Sequence, residues 1–208
     1  GALHAGHEAL LGRARADAES LVASLFVNPT QFGASEDLSS YPRDMDGDLA
    51  KLEGEGVDLV FAPPRREVYP SGFSTYVDVG PIAERLEGAS RPGHFRGVAT
   101  VVCKLLAIVR PDRAYFGQKD AQQCLVVQRL SADLNLGAEI VVLPTVRDAD
   151  GLALSSRNGY LGTEDRKAAL VLYRSLHLAS DLYESGVRDA DQLRDRMRAL
   201  IDAEPRAE

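Results

Sequence analysis

The sequence contains few of the residues that mark disulfide scaffolds or cysteine metal sites. Its 208 residues include two cysteines, two methionines, four histidines and no tryptophan. Cys103 and Cys124 lie in apolar helical patterns and not in a CxxC spacing. Because redox and metal motifs need closely spaced cysteines, we expect two reduced, buried thiols.

Long hydrophobic runs are also absent. No stretch reaches the roughly 18 uninterrupted apolar residues that a membrane span requires. No signal-peptide pattern precedes the first motif. We therefore expect a cytoplasmic protein with no membrane partner.

Positive charge is in the minority. Lysine and arginine number 24 against 31 aspartate and glutamate residues, which gives a formal net charge of −7. The two signs are interspersed, and this excludes the broad basic surface that nucleic-acid binding requires. An anion site would be a local cluster of donors, which suits a small phosphorylated ligand.

Apolar runs typical of buried strands alternate with helical patterns in the first two thirds of the chain. The predicted strands are 20–27, 57–62, 114–117 and 138–143, and the predicted helices are 7–18, 45–55, 98–109 and 120–134. This alternation favours parallel βαβ units and a doubly wound α/β sheet, which binds ligands beyond the carboxyl ends of its strands. Residues 74–79 alternate in the β manner and predict a small hairpin or edge strand.

The pattern changes after residue 158. Two charged helical segments, 164–185 and 189–203, follow with no strand between them. We therefore expect a first domain at 1–147, and at 148–208 a loop followed by the start of a smaller helical or α+β C-terminal domain. With 45% hydrophobic residues, the chain can bury one substantial core.

The segment His4-Ala5-Gly6-His7 sets two imidazoles three residues apart at the start of the first predicted helix. Side chains three apart share a helix face, and the unpaired N–H groups of a first turn attract phosphate. Gly6 removes the side chain between the histidines, so a base or phosphate can approach the backbone. A lone HxxH pattern also arises by chance.

Two later loops carry donors suited to phosphate. After the third predicted strand, Lys119 could meet phosphate oxygens and Asp120 ribose hydroxyls. The alternative is a helix cap at Asp120 and a solvated cation at Lys119. The run 155–158 offers two serine hydroxyls and one guanidinium for a polyphosphate, and its alternative is an ordinary polar connection.

The remaining histidine-based alternative is a zinc site formed by His4, His7 and His94. The HxxH spacing provides tetrahedral ligands less readily than HExxH, and Lys119 would repel a dication. We therefore predict no metal ligand from protein side chains.

Glutamines near the predicted strand ends offer a different chemistry. Gln31, Gln122 and Gln123 are uncharged donors and acceptors suited to hydroxyl and carboxylate groups. Ordinary surface glutamines are the alternative reading of the same residues.

Five segments, taken in order, closely resemble the pantoate–β-alanine ligase family. They are 4–7, 26–32, 91–95, 116–123 and 150–158. The resemblance implies a Rossmann-like fold of the nucleotidylyltransferase superfamily. It also implies an ATP-dependent reaction that joins pantoate to β-alanine through a pantoyl adenylate and releases pyrophosphate and AMP.

The same resemblance implies roles for individual residues. The implied ATP-binding residues are Gly1, Ala2, Leu3, His4, Ala5, Gly6, His7, Gly117, Gln118, Lys119, Asp120, Val146, Leu154, Ser155, Ser156 and Arg157. Among them the implied catalytic residues are His4, His7, Lys119, Ser155, Ser156 and Arg157. Gln31 and Gln123 would bind pantoate, and Gln31 would also lie near β-alanine.

The resemblance further implies Mg²⁺ bound through the phosphates and a homodimer. The chain departs from the family at Gln118, where a glutamate is usual, and at Ala5, where an acidic residue is frequent. The family also has a strand before Gly1 and a fuller C-terminal domain, so we expect truncation at both ends. A nucleotidyltransferase for another acceptor and an inactive nucleotide-binding fragment stay open as alternatives.

Overall fold

The computed structural model of the chain describes residues 2–33 and 36–207. Its strands are Val22–Ser24 (β1), Leu59–Phe61 (β2), Arg113–Gly117 (β3) and Glu139–Leu143 (β4). Its helices are Ala5–Asp17 (α1), Met45–Gly54 (α2), Arg65–Val68 (α3), Glu87–Ser90 (α4), His94–Val109 (α5), Ala121–Asp133 (α6), Thr163–Glu184 (α7) and Ala190–Asp202 (α8). Short 3₁₀ turns occupy Pro29–Gln31, Gly80–Ala83, Gln118–Asp120 and Ser156–Tyr160.

Parallel pairing joins the strands two by two. β1 pairs with β2, and β3 pairs with β4. Helix α2 lies between the first two strands in the sequence and α6 between the second two, so each pair is a βαβ unit. The predicted α/β class with parallel strands is confirmed, although β1 and β2 are shorter than the predicted runs 20–27 and 57–62.

A cavity of about 950 Å³ lies between the two strand pairs. Residues 22–24 of β1 and 113–116 of β3 line it, together with apolar side chains of α1 and α5 such as Leu10 and Leu106. Within the part of the chain that the structure describes, β1 and β3 share no ladder hydrogen bonds. Each of these two strands is therefore paired along one edge only.

The hydrophobic core of this region lies between α5 and α6. Phe95, Val98 and Ala99 of α5 pack with Val126 and Leu130 of α6, and none of the five is more than 2% exposed. The α5 helix begins at residue 94, four residues before its predicted start, because its first turn already belongs to this buried face.

The two cysteines are free thiols. Cys124 is buried, as expected, and its Sγ donates to the Gly117 carbonyl at 3.3 Å. Cys103 lies at the margin of the core and is only partly buried, so the expectation of a buried side chain was wrong there. Burial raises the pKa of both thiols, which favours the protonated form.

The segment 74–79 is not a strand, and the predicted hairpin or edge strand was wrong. The alternation of apolar and polar residues in this segment has another cause. Val77 and Val79 pack against the core between α5 and α6. The Val77 N–H donates to the Thr100 hydroxyl of α5 at 3.0 Å. A helix side chain thus accepts the hydrogen bond that a neighbouring strand would accept in a sheet.

The chain divides into two compact units, Gly1–Thr145 and Val146–Glu208. In the second unit α7 packs against α8, and Ala168, Val171 and Ser175 of α7 are buried. Among residues 2–33 and 36–207, no helix has the length and apolar character needed to span a bilayer.

Replacing Gly97 by alanine is expected to destabilise the protein. An added Cβ would come within 2.3 Å of the Thr30 carbonyl oxygen and 2.7 Å of the Gln31 nitrogen. These are backbone atoms that cannot rotate away, so we expect a loss of about 1–3 kcal/mol in the free energy of unfolding, measured by urea denaturation.

Gly54→Ala in α2 is the matched control, because an added Cβ there meets nothing within 4 Å. The higher helix propensity of alanine should leave that variant as stable as the original or more so. Equal stability of the two variants would contradict the packing argument.

Candidate active site

The two histidines of the 4–7 segment cap helix α1 reciprocally. His4 is the N-cap residue, and its Nδ1 accepts a hydrogen bond from the Gly6 N–H at 3.1 Å. The Nδ1 of His7 accepts from the His4 N–H at 3.3 Å. The ring centroids are 4.1 Å apart, so both imidazoles lie together at the N-terminus of α1.

These hydrogen bonds fix the tautomer of both rings. A backbone N–H can only donate, so each Nδ1 carries a lone pair and each neutral ring holds its proton on Nε2. Burial, with a further contribution from His4, lowers the pKa of His7 to about 4. Burial and the charges of Lys119 and Lys51 lower the pKa of His4. At neutral pH the site therefore presents two uncharged Nε2–H donors.

Helix α2 holds the segment that leads into the histidines. The Leu3 N–H donates to Asp48 Oδ1 at 2.6 Å, and Lys51 Nζ donates to the Leu3 carbonyl. Ala2 has a φ of 53°, a left-handed conformation that alanine seldom adopts. Neither Asp48 nor Lys51 was predicted from the sequence. Asp48 is only 2% exposed and lies four residues before the buried Leu52, on the same face of α2. A carboxylate on the apolar face of a predicted helix is the sequence signal that could have identified it.

The loop after β3 brings a cation and a carboxylate to the histidine pair. The side chains of the Gln118–Asp120 turn are exposed. Lys119 acts electrostatically on His4 and Asp120 acts on His7, so the turn lies close to both rings. Asp120 precedes α6, but its side chain makes no capping hydrogen bond there. The carboxylate pairs instead with Lys119, whose Nζ lies 3.1 Å from Asp120 Oδ1.

The other residues of the first unit that are implied for ATP binding lie at the start of α1, at the end of β3 or in the turn that follows β3. Ala5 and Gly6 are the first two residues of α1, and Gly117 is the last residue of β3. Gln118 is exposed at the start of the turn after β3. Gly1 lies outside the described residues.

Asn28 organises the turn that carries Gln31. It is 3% exposed, and its Nδ2 donates to Gln31 Oε1 at 3.0 Å and to the Gly97 carbonyl at 3.1 Å. Its Oδ1 accepts from the Tyr69 hydroxyl at 2.8 Å and from the Thr30 hydroxyl at 2.9 Å. Because Oε1 of Gln31 is engaged by Asn28, the amide NH₂ group points away from Asn28. The contacts of Asn28 to Tyr69 and Gly97, which are 41 and 69 residues away in the sequence, have no local sequence signal.

His94 is bound to the same turn. Its Nδ1 lies 2.8 Å from the Gln31 carbonyl oxygen, and its Nε2 lies 3.3 Å from an Arg91 Nη1. A carbonyl can only accept and a guanidinium can only donate, so this ring is protonated on Nδ1 and accepts at Nε2. The Arg91 guanidinium also donates to both carboxylate oxygens of Glu36, at 2.6 and 2.8 Å.

The zinc alternative finds no support in this geometry, since both ring nitrogens of His94 already have protein partners. Within residues 2–33 and 36–207, no three His, Cys, Asp or Glu side chains are grouped in a way that could hold a metal ion.

The two adjacent glutamines of α6 differ in their contacts. The Gln122 amide donates to the carbonyls of Ile82 and Arg85 and accepts from the Glu87 N–H at 3.0 Å. Gln122 is therefore a structural link between α6 and the preceding turns. Gln123 is half-buried and shares none of these contacts.

In the second unit, the implied phosphate-binding residues lie where a short antiparallel hairpin meets a 3₁₀ turn. The Leu154 N–H donates to the Val146 carbonyl at 3.0 Å and closes the hairpin. The Ser155 hydroxyl caps the Ser156–Tyr160 turn by accepting from the Arg157 N–H at 3.3 Å. The second unit thus gathers these residues into one short stretch.

Comparison with known proteins assigns the chain to a family. The family model described as pantoate-beta-alanine ligase matches residues 1–208. The chain belongs to the pantoate–β-alanine ligase family. It is 63% identical over 207 residues to the pantothenate synthetase of Roseiflexus sp. (strain RS-1), with 100% of this chain and 74% of that protein covered. It is 59% identical to the pantothenate synthetase of Chloroflexus aurantiacus (strain ATCC 29366 / DSM 635 / J-10-fl), with the same coverage.

Solved structures of this family have the same fold. The pantothenate synthetase of Thermus thermophilus matches with a TM-score of 0.95 and 52% identity, over 99% of this chain and 74% of that one. The pantoate-beta-alanine ligase of Francisella tularensis, a complex with beta-gamma ATP and beta-alanine, matches with a TM-score of 0.82 and 37% identity, over 96% of this chain and 75% of that one. The predicted family, nucleotidylyltransferase-like fold and ligase class are confirmed.

The lowered pKa of His7 makes stability depend on pH. In the unfolded chain His7 takes up a proton near pH 6.5, whereas in the folded protein it does so only near pH 4. Between these values the unfolded state binds more protons, so stability should fall as the pH decreases from 6.5 to 4. Nuclear magnetic resonance titration of the ring should give a midpoint near 4.

His7→Gln is the matching variant, because glutamine at this position can still accept from the cap N–H but does not titrate. Its unfolding free energy should fall less than that of the original protein over the same pH range. An identical pH dependence in the two proteins would contradict this assignment.

Proposed function

We propose that this chain joins pantoate to β-alanine at the expense of ATP, through a pantoyl adenylate, with release of pyrophosphate and AMP. The observation that carries the proposal is the pair of neutral Nε2–H donors on His4 and His7, at a helix N-terminus and close to Lys119. Family membership supports the same reaction.

In the first step a carboxylate oxygen of pantoate attacks the α-phosphorus of ATP. The new O–P bond forms as the bond to the pyrophosphate oxygen breaks, and no proton is transferred. Negative charge builds on the α-phosphoryl oxygens and on the leaving pyrophosphate. The Nε2–H groups of His4 and His7, whose rings are already oriented by the helix cap, and the ammonium of Lys119 stabilise this charge. The N-terminus of α1 adds its partial positive charge.

In the second step the neutral amine of β-alanine attacks the activated acyl carbon. A C–N bond forms, the acyl–phosphate C–O bond breaks and AMP leaves, and one proton is released from the nitrogen. AMP is a good leaving group, so the amide forms without a covalent enzyme intermediate.

We assign pantoate to Gln31 and Gln123. The Gln31 amide is oriented by Asn28, and Gln123 lies next to the structural Gln122 on α6. Uncharged amides can bind the hydroxyl and carboxylate groups of pantoate without taking up a proton. The place of Gln31 in a turn packed against α5 also suits the expected position of β-alanine.

The remaining contacts to ATP follow the family pattern. Asp120 and Gly117 bind the ribose, Val146 contacts adenine through its backbone, and the loop at 154–157 binds the phosphates. The residues at 1–3, 5–6 and 118 line the nucleotide site. These assignments are supported by the grouping of each set of residues within its own unit.

ATP enters as its Mg²⁺ complex. The side chains gathered at the histidine pair are mainly donors, so the ion would be held by phosphate oxygens and water, as Mg²⁺ commonly is. We further propose a cytoplasmic homodimer, in line with the family resemblance.

Pyrophosphate exchange tests the proposed reaction. With Mg²⁺ and labelled pyrophosphate, label should enter ATP only when pantoate is present, and later addition of β-alanine should yield AMP and the amide. Exchange that requires a different acid would support a nucleotidyltransferase for another acceptor. ATP binding without any exchange would support an inactive nucleotide-binding protein.

Lys119→Ala should lower the rate of pantoate-dependent exchange by about 10²- to 10³-fold, the scale of one lost transition-state donor. The same loss is expected for His7→Ala. Lys167→Ala is the control, since Lys167 pairs with Glu164 on the surface of α7. Exchange at the original rate in Lys119→Ala would refute its role.

Gln123→Ala should instead raise the KM for pantoate by about tenfold and leave the KM for ATP unchanged, because one ligand hydrogen bond is lost. Gln128→Ala, an exposed position on the same helix, is the control. An unaltered KM for pantoate in Gln123→Ala would reject the assignment, and steady-state kinetics with each substrate varied in turn distinguishes the cases.

A further inference from the structure

The loop at 155–157 is preceded by a hairpin that spans residues 146–154. Arg147 and Ala153 form its antiparallel bridge. At its tip the Asp148 N–H donates to the Leu152 carbonyl at 2.8 Å, and the Gly151 N–H donates to the Asp148 carbonyl at 2.9 Å. These hydrogen bonds close the hairpin directly before the chain enters the loop.

Arg166 of α7 links this tip to the helix that follows the loop. One Nη of its guanidinium lies 2.6 Å from Asp148 Oδ2, and the other contacts the Asp150 carboxylate. The guanidinium beside it holds the pKa of Asp150 below its usual range. A guanidinium that bridges two carboxylates is more strongly oriented than a single surface ion pair.

Tyr173 makes a second contact between the tip and α7. Gly151 has a φ of 98°, and an added Cβ there would come within 2.0 Å of the Tyr173 ring. The Arg147 guanidinium lies over the same ring, 4.9 Å from its centroid, and donates to the Gly151 carbonyl at 3.1 Å. The tip of the hairpin is therefore packed directly against α7.

Two hydrogen bonds of Asn158 also hold the loop in place. The Asn158 Nδ2 donates to the Ala153 carbonyl at 3.0 Å, and the Asn158 N–H donates to the Ser155 carbonyl at 3.0 Å. Residues 155–157 consequently lie in a short closed segment. One end is held by the hairpin, and the other leads into the first turn of α7, which carries Arg166.

We propose that Arg166 is a positioning residue for the phosphate-binding loop. By bridging Asp148 and Asp150 it fixes the hairpin against α7, and this orders Ser155, Ser156 and Arg157 before ATP arrives. A loop that is already ordered loses less conformational entropy on binding, so its affinity for the phosphates is higher. This inference rests on the proposed role of the loop in binding ATP.

Arg166→Met tests the inference, because methionine keeps much of the side-chain length but cannot bridge the carboxylates. The KM for ATP should rise about three- to tenfold, while the KM values for pantoate and β-alanine stay the same. Arg166→Lys should recover part of the loss, since lysine can pair with one carboxylate at a time. Asp150→Asn is a milder second variant that leaves the Asp148 pair in place.

Lys167→Met is the matched control. Lys167 is the next residue on α7, and its ion pair with Glu164, at 2.8 Å, does not involve the hairpin. Its kinetic constants should match those of the original chain. A general loss of stability would change all the KM values of Arg166→Met together or lower only the melting temperature, and either result would overturn the inference.

Hydrogen exchange gives a readout that needs no turnover. Amides at 153–160 should exchange faster in Arg166→Met than in the original chain without ATP, and those of α8 should not. Unchanged exchange at 153–160 would overturn the positioning role even if pantoate-dependent activity is normal. Absence of that activity in the original chain would instead count against the proposed function, and the exchange comparison would still decide the role of Arg166.

Discussion

The reciprocal cap between His4 and His7 determines what the site can do. Each Nδ1 accepts from a backbone N–H, so each ring must keep a lone pair on that atom. Protonation would place a ring N–H against a backbone N–H and break the cap. The helix start therefore favours neutral rings with the proton on Nε2, while the positive charge beside them is that of Lys119, which pairs with Asp120. The oriented hydrogen-bond donors and the positive charge thus come from different residues.

The hydrogen-bond partners of the third histidine require the opposite tautomer. His94 faces a carbonyl at Nδ1 and a guanidinium at Nε2, so its proton lies on Nδ1. It serves the turn that carries Gln31, together with Asn28 and the close approach of Gly97. These three histidines thus hold two different tautomers, and the backbone or side-chain partner of each ring decides which.

The sequence predicted the parts of the molecule that depend on short-range patterns. Helical and strand periodicity located most elements, and the spacing of His4 and His7 placed both rings in one helical turn. The segment 74–79 shows the limit, because packing of alternate valines on two helices produces the same alternation as a strand. Contacts such as Leu3 to Asp48 could not be predicted, since no local pattern pairs residues 45 positions apart.

These long-range contacts bear on when the site forms. The Leu3 segment is held by α2, 45 residues away, and the turn of Gln31 is held through Asn28 by α5, 69 residues away. Closing such loops costs entropy that is recovered only when both partners are in place. The helices can therefore form before the Leu3 segment and the Gln31 turn are fixed in place, and any ligand that requires both stabilises only the fully folded chain.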